Sequence, residues 1–312
     1  MKTKTLLLTA AAALLVPAAV LAPQATAGPA PAAKAPTYKV NTFERPAAGA
    51  GPAVACGART AAAAAGPRAT DGWTAPWQQG METRARIDNT TPAHGGSKSL
   101  RIHYPKGKIG PEDSGAQAPF ALTKAREYYL SFWVKFSGDF SWGTTEYAGK
   151  VGLGLAGGAS CSGGQVCDGT NGFSSRMIWR QNNGQAAVYY YHMGHAGQYG
   201  DYAVLKNNGA DIHWPKNQWV NVAQRVKVNT VTGGNANPDG EIEVFYNGKS
   251  AAKVTGLRFV TNNDQVDRAY FSSFAGGATP SFAPNNDNSF IWYDDLKVST
   301  DRNDICELSS CT

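Results

Sequence analysis

Alternation with a period of two is the feature that most constrains this chain. Ile242, Val244 and Tyr246 occupy every second position, which puts them on one face of an extended strand. Comparable runs of β-branched and aromatic residues span Lys98 to Tyr104, Glu127 to Phe136, Phe173 to Arg180, Ala186 to Met193, Gln218 to Asn229, Glu241 to Asn247, Lys253 to Val260, Arg268 to Phe274 and Ser289 to Val298. Turn formers punctuate them at His94-Gly95-Gly96-Ser97, Asn237-Pro238-Asp239-Gly240, Asn247-Gly248 and Pro284-Asn285-Asn286-Asp287. No stretch sustains a helical period. Strands of this kind must share a core, so the expected fold is all-β: a jelly-roll sandwich of two antiparallel sheets.

The chain begins with Lys2 and Lys4, an apolar run from Leu6 to Leu21, and Ala25-Thr26-Ala27. That order is the pattern of an export signal over residues 1–27. Residues 28–36 are rich in Ala and Pro and are expected to be a disordered start, leaving 37–312 as one domain. No other run approaches the roughly 20 apolar residues that span a bilayer, so no membrane association is expected. Formal net charge is +6, and +4 without the two N-terminal lysines. The excess lacks a block of Lys/Arg and any nucleic-acid module, which argues against nucleic acid and for an acidic polysaccharide outside the cell. A monomer is expected.

An exported chain with five cysteines is expected to form disulfides. Cys161 and Cys167 enclose a Gly-rich loop and make the simplest pair, while Cys56, Cys306 and Cys311 compete for a second bond. The spacing fits no zinc pattern. Adjacent Asp294 and Asp295 allow a structural calcium ion, although no spaced calcium loop is visible; a solvated strand end is the simpler explanation.

Residues 172–192 hold the densest concentration of chemical groups. Read as a hairpin around an Asn183-Gly184 turn, they place Ile178 opposite Tyr189 and Arg176 opposite Tyr191, with Ser174, Arg176, Tyr189 and Tyr191 on one face. Ser175, Met177, Trp179, Tyr190 and His192 fall on the other. Taken alone, such a hairpin is ordinary sheet structure with cross-strand aromatic pairs.

The order of signatures along the chain carries more. Leu100-Arg101-Ile102-His103-Tyr104, Tyr129-Leu130-Ser131-Phe132-Trp133, Gly149-Lys150-Val151-Gly152-Leu153, the hairpin, Phe271-Ser272-Ser273-Phe274-Ala275-Gly276-Gly277 and Tyr293-Asp294-Asp295-Leu296 follow one another over residues 85–299. This series resembles polysaccharide lyases of family 14 and the related family 20 glucuronan lyases. The resemblance implies a jelly-roll enzyme that cleaves alginate or glucuronan by β-elimination with no required cofactor. It implies a catalytic set of Lys150, Arg176, Tyr189 and Tyr191, with Ser174, Arg101, His195 and Arg180 as substrate-binding residues. Two departures stand out: the Lys-x-Gly-Leu segment lacks the family's proline, and the hairpin is one residue longer, which leaves the base open among Tyr189, Tyr190 and Tyr191.

The chemistry suits those residue types. Loss of the C5 proton of a uronate builds negative charge onto a group that is already a carboxylate, so cations beside it lower the barrier. Arg176 offers a planar fork for that carboxylate, and Lys150 either shares the task or holds a tyrosine as phenolate. Tyr191 is the expected base or acid, assisted by Tyr189. His192 is expected to face away and His195 to line the groove. The main rival is a secreted carbohydrate-binding module without chemistry; a hydrolase with paired carboxylates is disfavoured because the groove strands lack Asp and Glu.

Overall fold

The computed structural model describes residues 38–41, 43–44, 75–144, 146–277 and 279–308. The expected export signal, the Ala/Pro-rich start, the Ala/Gly-rich segment 50–65, Cys56 and Cys311 lie outside them. In chain order the strands are Tyr38–Asn41 (β1), Ala85–Asp88 (β2), Ser99–His103 (β3), Ala116–Ala125 (β4), Glu127–Phe136 (β5), Tyr147–Gly157 (β6), Phe173–Arg180 (β7), Gln185–Tyr191 (β8) and Asp201–Val204 (β9). They continue with Lys206–Asn207 (β10), Ala210–Asp211 (β11), Val220–Lys227 (β12), Val231–Thr232 (β13), Asn235–Ala236 (β14), Gly240–Tyr246 (β15), Lys249–Leu257 (β16), Val266–Ser273 (β17) and Phe290–Ser299 (β18).

Fourteen of these strands build the expected sandwich of two antiparallel sheets. The larger sheet runs β16-β15-β12-β5-β18-β3-β2 with β1 also on β18, and the smaller runs β4-β17-β6-β7-β8-β9. Alternate residues face inward: Phe132, Val134 and Phe136 of β5 and Ile291 and Tyr293 of β18 meet Leu153 and Leu155 of β6, Met177 and Trp179 of β7, and Phe271 of β17 in one buried core. Removing these side chains from water is the main stabilising term. Polar ties cross it. The Gln224 amide donates to the Ser175 hydroxyl at 2.7 Å, joining β12 to β7, and Tyr104, Ser273 and Tyr293 form a hydroxyl chain. Among the described residues no helix is long and apolar enough to cross a membrane.

Three strands of the smaller sheet, β4, β6 and β9, are invisible to the alternation pattern. β4 contains Pro119, whose missing N–H is tolerated because β4 is an edge strand whose one strand neighbour is β17. β6 carries four glycines, a poor strand composition, yet contact requires two of them. A Cβ on Gly149 would stand 2.2 Å from the Trp179 ring, and one on Gly154 would stand 2.2 Å from the Ser175 carbonyl oxygen. Small residues let β6 lie close against the two hairpin strands.

Candidate functional site

The hairpin differs from expectation in its register. Arg180 pairs with Gln185, so the loop is the four residues 181–184, with Gln181 and Gly184 at positive φ. Arg176 therefore stands opposite Tyr189, Ser174 opposite Tyr191, and Ile178 opposite Ala187. A slip of two residues preserves the side-chain parity. Ser174, Arg176, Tyr189 and Tyr191 share the outer face, and Met177, Trp179, Val188 and Tyr190 enter the core.

Lys150, on β6 opposite Ile178, joins that outer face. Its ammonium lies 5.5 Å from the Tyr189 ring centre and 5.3 Å from that of Phe274, and donates a long hydrogen bond of 3.4 Å to the Gly276 carbonyl. Burial, and then repulsion from Arg176, bring its pKa down to about 7. The Arg176 guanidinium lies 5.9 Å from the Tyr189 ring and 5.7 Å from the Tyr270 ring. Its side chain is buried, and Nε has no hydrogen-bond partner among the described residues. Among the described residues no carboxylate forms an ion pair with Lys150 or Arg176. Buried donors are ordinarily satisfied, so the unpartnered Arg176 Nε is an exception that calls for an acceptor.

The two tyrosines occupy different depths. Tyr189 is partly exposed, and its hydroxyl donates to the Tyr191 oxygen at 2.9 Å while accepting the Gly200 N–H at 3.3 Å. Burial, and then the hydrogen bond to Tyr191, hold its pKa well above the usual phenol value, with Arg176 opposing. Tyr191 is fully buried behind it. The Cys161–Cys167 disulfide packs on its ring, and the Gly164 N–H between those cysteines donates to its oxygen at 2.8 Å. Cys306 is likewise disulfide-bonded.

The remaining expected residues separate. His195 stays at the rim, half-buried, its ring 5.3 Å from that of Tyr191 and its Nε2 donating to the Gln165 carbonyl at 3.2 Å. His192 faces away, as expected, and pairs with Asp201 at 2.9 Å. Ser174 is buried, its hydroxyl donating to the Cys161 carbonyl at 2.8 Å; it anchors the disulfide loop instead of facing the groove. Arg180 is almost fully buried, donating to Gln185 and Glu146 and stacking 3.6 Å from the Tyr202 ring centre. Its charge is matched by Glu146, so it braces the hairpin end. Arg101 belongs to the other sheet, on β3 opposite Trp292, with its guanidinium over Phe290. Alternation predicts that Arg101 points outward but not which sheet carries it. Three groove residues were missed: Tyr270 under Arg176, the Gly164 N–H, and Phe274, although Phe274 stood in a quoted signature.

Asp294 and Asp295 stand beside His94, with one side-chain ligand atom of each within 4.8 Å of the others. One Asp294 oxygen accepts the N–H groups of His94 and Gly95, each at 3.0 Å, and the other accepts the Asp295 N–H at 2.8 Å. Asp295 faces the His94 ring at 3.0 Å. Asp294 clamps the 94–95 turn, and burial with the Asp295 charge pushes its carboxyl up to about 8.

Comparison with known proteins places the fold and region. The family profile described as Polysaccharide lyase 14 matches residues 92–296. A mutant of alginate lyase Aly36B in complex with alginate trisaccharide is similar over 86% of this chain and 99% of its own, at 25% identity and TM-score 0.63. The marine alginate lyase of Aplysia kurodai, at 24% identity and TM-score 0.58, covers 72% of this chain and 89% of its own. Alginate lyase vAL-1 from Chlorella virus, at 17% and 0.59, covers 75% and 95%. The latter two show the fold. No curated protein sequence matches the chain.

Proposed function

Because the chain belongs to the polysaccharide lyase 14 family and is a polysaccharide lyase, we propose that it cleaves a polyuronate of the alginate or glucuronan class by β-elimination, using Arg176, Lys150 and Tyr189. The observation carrying this reading is the convergence, among the described residues, of two carboxylate-free cations and a partly exposed phenol on one sheet face, with the Arg176 Nε left unpartnered.

Arg176 neutralises the uronate carboxylate, which makes the C5 proton more acidic. Lys150, neutral in about half of the molecules near pH 7, accepts that proton. The C5 electron pair becomes the C4=C5 double bond as the C4–O4 bond breaks. Tyr189 is the better proton donor to O4, because its raised pKa keeps it protonated. Tyr191 stands behind it as the second hydroxyl of a relay: when Tyr189 turns its proton to O4, Tyr191 donates to Tyr189, and the Gly164 and Gly200 N–H groups stabilise the charge left on the pair. This reverses the order expected from sequence, in which Tyr191 acted and Tyr189 assisted. Its physical reason is burial, since substrate cannot reach Tyr191 without displacing the disulfide loop.

The reaction so written needs no cofactor, and the N-terminal pattern together with the disulfide supports secretion. Incubating the wild-type protein with polymannuronate, polyguluronate and glucuronan should raise ultraviolet absorbance as unsaturated ends form. Binding without that absorbance would favour the non-catalytic module.

A further inference from the structure

Trp77 is a large aromatic side chain left 45% exposed, and it lies upstream of the region matched by the family profile. Its indole meets Tyr270 edge-on with ring centres 6.2 Å apart, and Tyr270 lies under the Arg176 guanidinium. A single ring therefore separates Trp77 from the cation assigned to the substrate carboxylate. Beside the indole is a pocket of about 160 Å³ lined by Pro76, Trp77, Pro119, Ala121, Asp267 and Arg268. Pro119 pairs with Tyr270 and Ala121 with Arg268, so the pocket floor is the β4–β17 end of the face that carries Arg176 and Tyr189.

Its one cation is charge-paired but keeps spare hydrogen-bond donors. Arg268 Nε donates to Asp267 at 2.7 Å and Nη2 to the Gly158 carbonyl at 2.6 Å. The other Asp267 oxygen accepts the Gly158 N–H at 3.2 Å. The acid is thus neutralised where it stands, while Arg268 Nη1 keeps its donors without a partner among the described residues and the side chain stays 31% exposed. An indole supplies a flat apolar surface for the C–H face of a sugar ring, and a guanidinium edge supplies paired donors for its carboxylate.

We propose that Trp77 and Arg268 form a remote subsite for a further uronate unit of the bound polymer, away from the bond that is cut. The proposal rests on the polyuronate reading, and it makes the segment before β2 part of the groove. Such a contact strengthens ground state and transition state alike, so it acts on KM and not on kcat.

The test compares wild type, Trp77→Ala and Trp77→Phe on sodium alginate and glucuronan and on their oligosaccharides of increasing length. Trp77→Ala should raise KM for long chains about three- to tenfold, with kcat and trisaccharide kinetics unchanged, and Trp77→Phe should recover most of the loss. Equal KM values for wild type and Trp77→Ala at every length would overturn the subsite. Should wild type release no unsaturated product from any polyuronate, the catalytic reading fails separately. Retardation in alginate-containing gels then decides the subsite: weaker retardation of Trp77→Ala supports it and equal retardation overturns it.

Discussion

The outer faces of the two sheets use the same residue types for different ends. On the larger sheet, Lys135 sits 5.7 and 5.6 Å from the Trp219 and Trp292 rings. Asp88 lies within electrostatic reach of it and accepts the Trp292 indole N–H at 2.6 Å. Arg225 on that sheet is held by Glu127 and Glu241. On the smaller sheet, Lys150 and Arg176 also lie against aromatic rings but pair with no acid among the described residues. Cations over aromatics therefore do not mark the site; the missing counter-charge does. A compensated face adds stability, whereas an uncompensated one stores affinity for an anion.

The sharpest way to break this contrast is at the phenol. Tyr189→Phe should lower kcat by about 10²–10⁴ with polymer affinity retained, and Tyr191→Phe should cost less, because the buried hydroxyl acts through its neighbour. Steady-state kinetics on both variants checks the order, and a larger loss for Tyr191→Phe would restore the buried tyrosine as the acting group.

Arg176→Ala should reduce kcat/KM by about 10²–10³ without lowering the melting temperature, since the native guanidinium has an unmet donor. A large drop in melting temperature would show that Arg176 is structural and erase the difference between the faces.

Lys150 predicts a pH dependence. Its lowered pKa means that the neutral form grows as pH rises through about 7. Activity limited by that form should fall about tenfold per pH unit below 7, and the limb should vanish in Lys150→Arg. A flat wild-type profile between pH 5 and 8 would remove Lys150 as the base.

Replacing both Cys161 and Cys167 by Ser should cost about 2 kcal/mol of stability for so short a loop. It should also slow turnover more than it weakens binding, because the Gly164 donor leaves Tyr191. Thermal melts alongside kinetics separate the two effects. Arg225→Ala supplies the control on the other face: about 1–3 kcal/mol less stability from its half-buried carboxylate partners, with turnover unchanged once the protein is folded.

Much of the fold was legible. Glu127–Phe136 and Phe173–Arg180 match the expected strands end to end, because apolar residues recur at alternate positions: Tyr128, Leu130, Phe132, Val134 and Phe136 in one, Phe173, Met177 and Trp179 in the other. β4 and β6 were not legible, since proline, alanine and glycine mask a strand whose fitness depends on its neighbours. At the site, the shared face of Arg176, Tyr189 and Tyr191 followed from parity, while their pairing did not. An Asn-Gly pair reads as a two-residue turn, but the four-residue loop was chosen by the packing of both strands against β6 and β9.

Local order sets what sequence alone determined: strand positions, alternating faces, the sandwich class and the Cys161–Cys167 link, all of which depend on residues near one another in the chain. Tertiary structure decided which sheet received Arg101, that Glu146 neutralises Arg180, that Ser174 and Tyr191 are sealed beneath the disulfide loop, and that Trp77 reaches Tyr270. Those outcomes depend on burial and charge compensation between distant segments, and neither quantity exists until the two sheets have met.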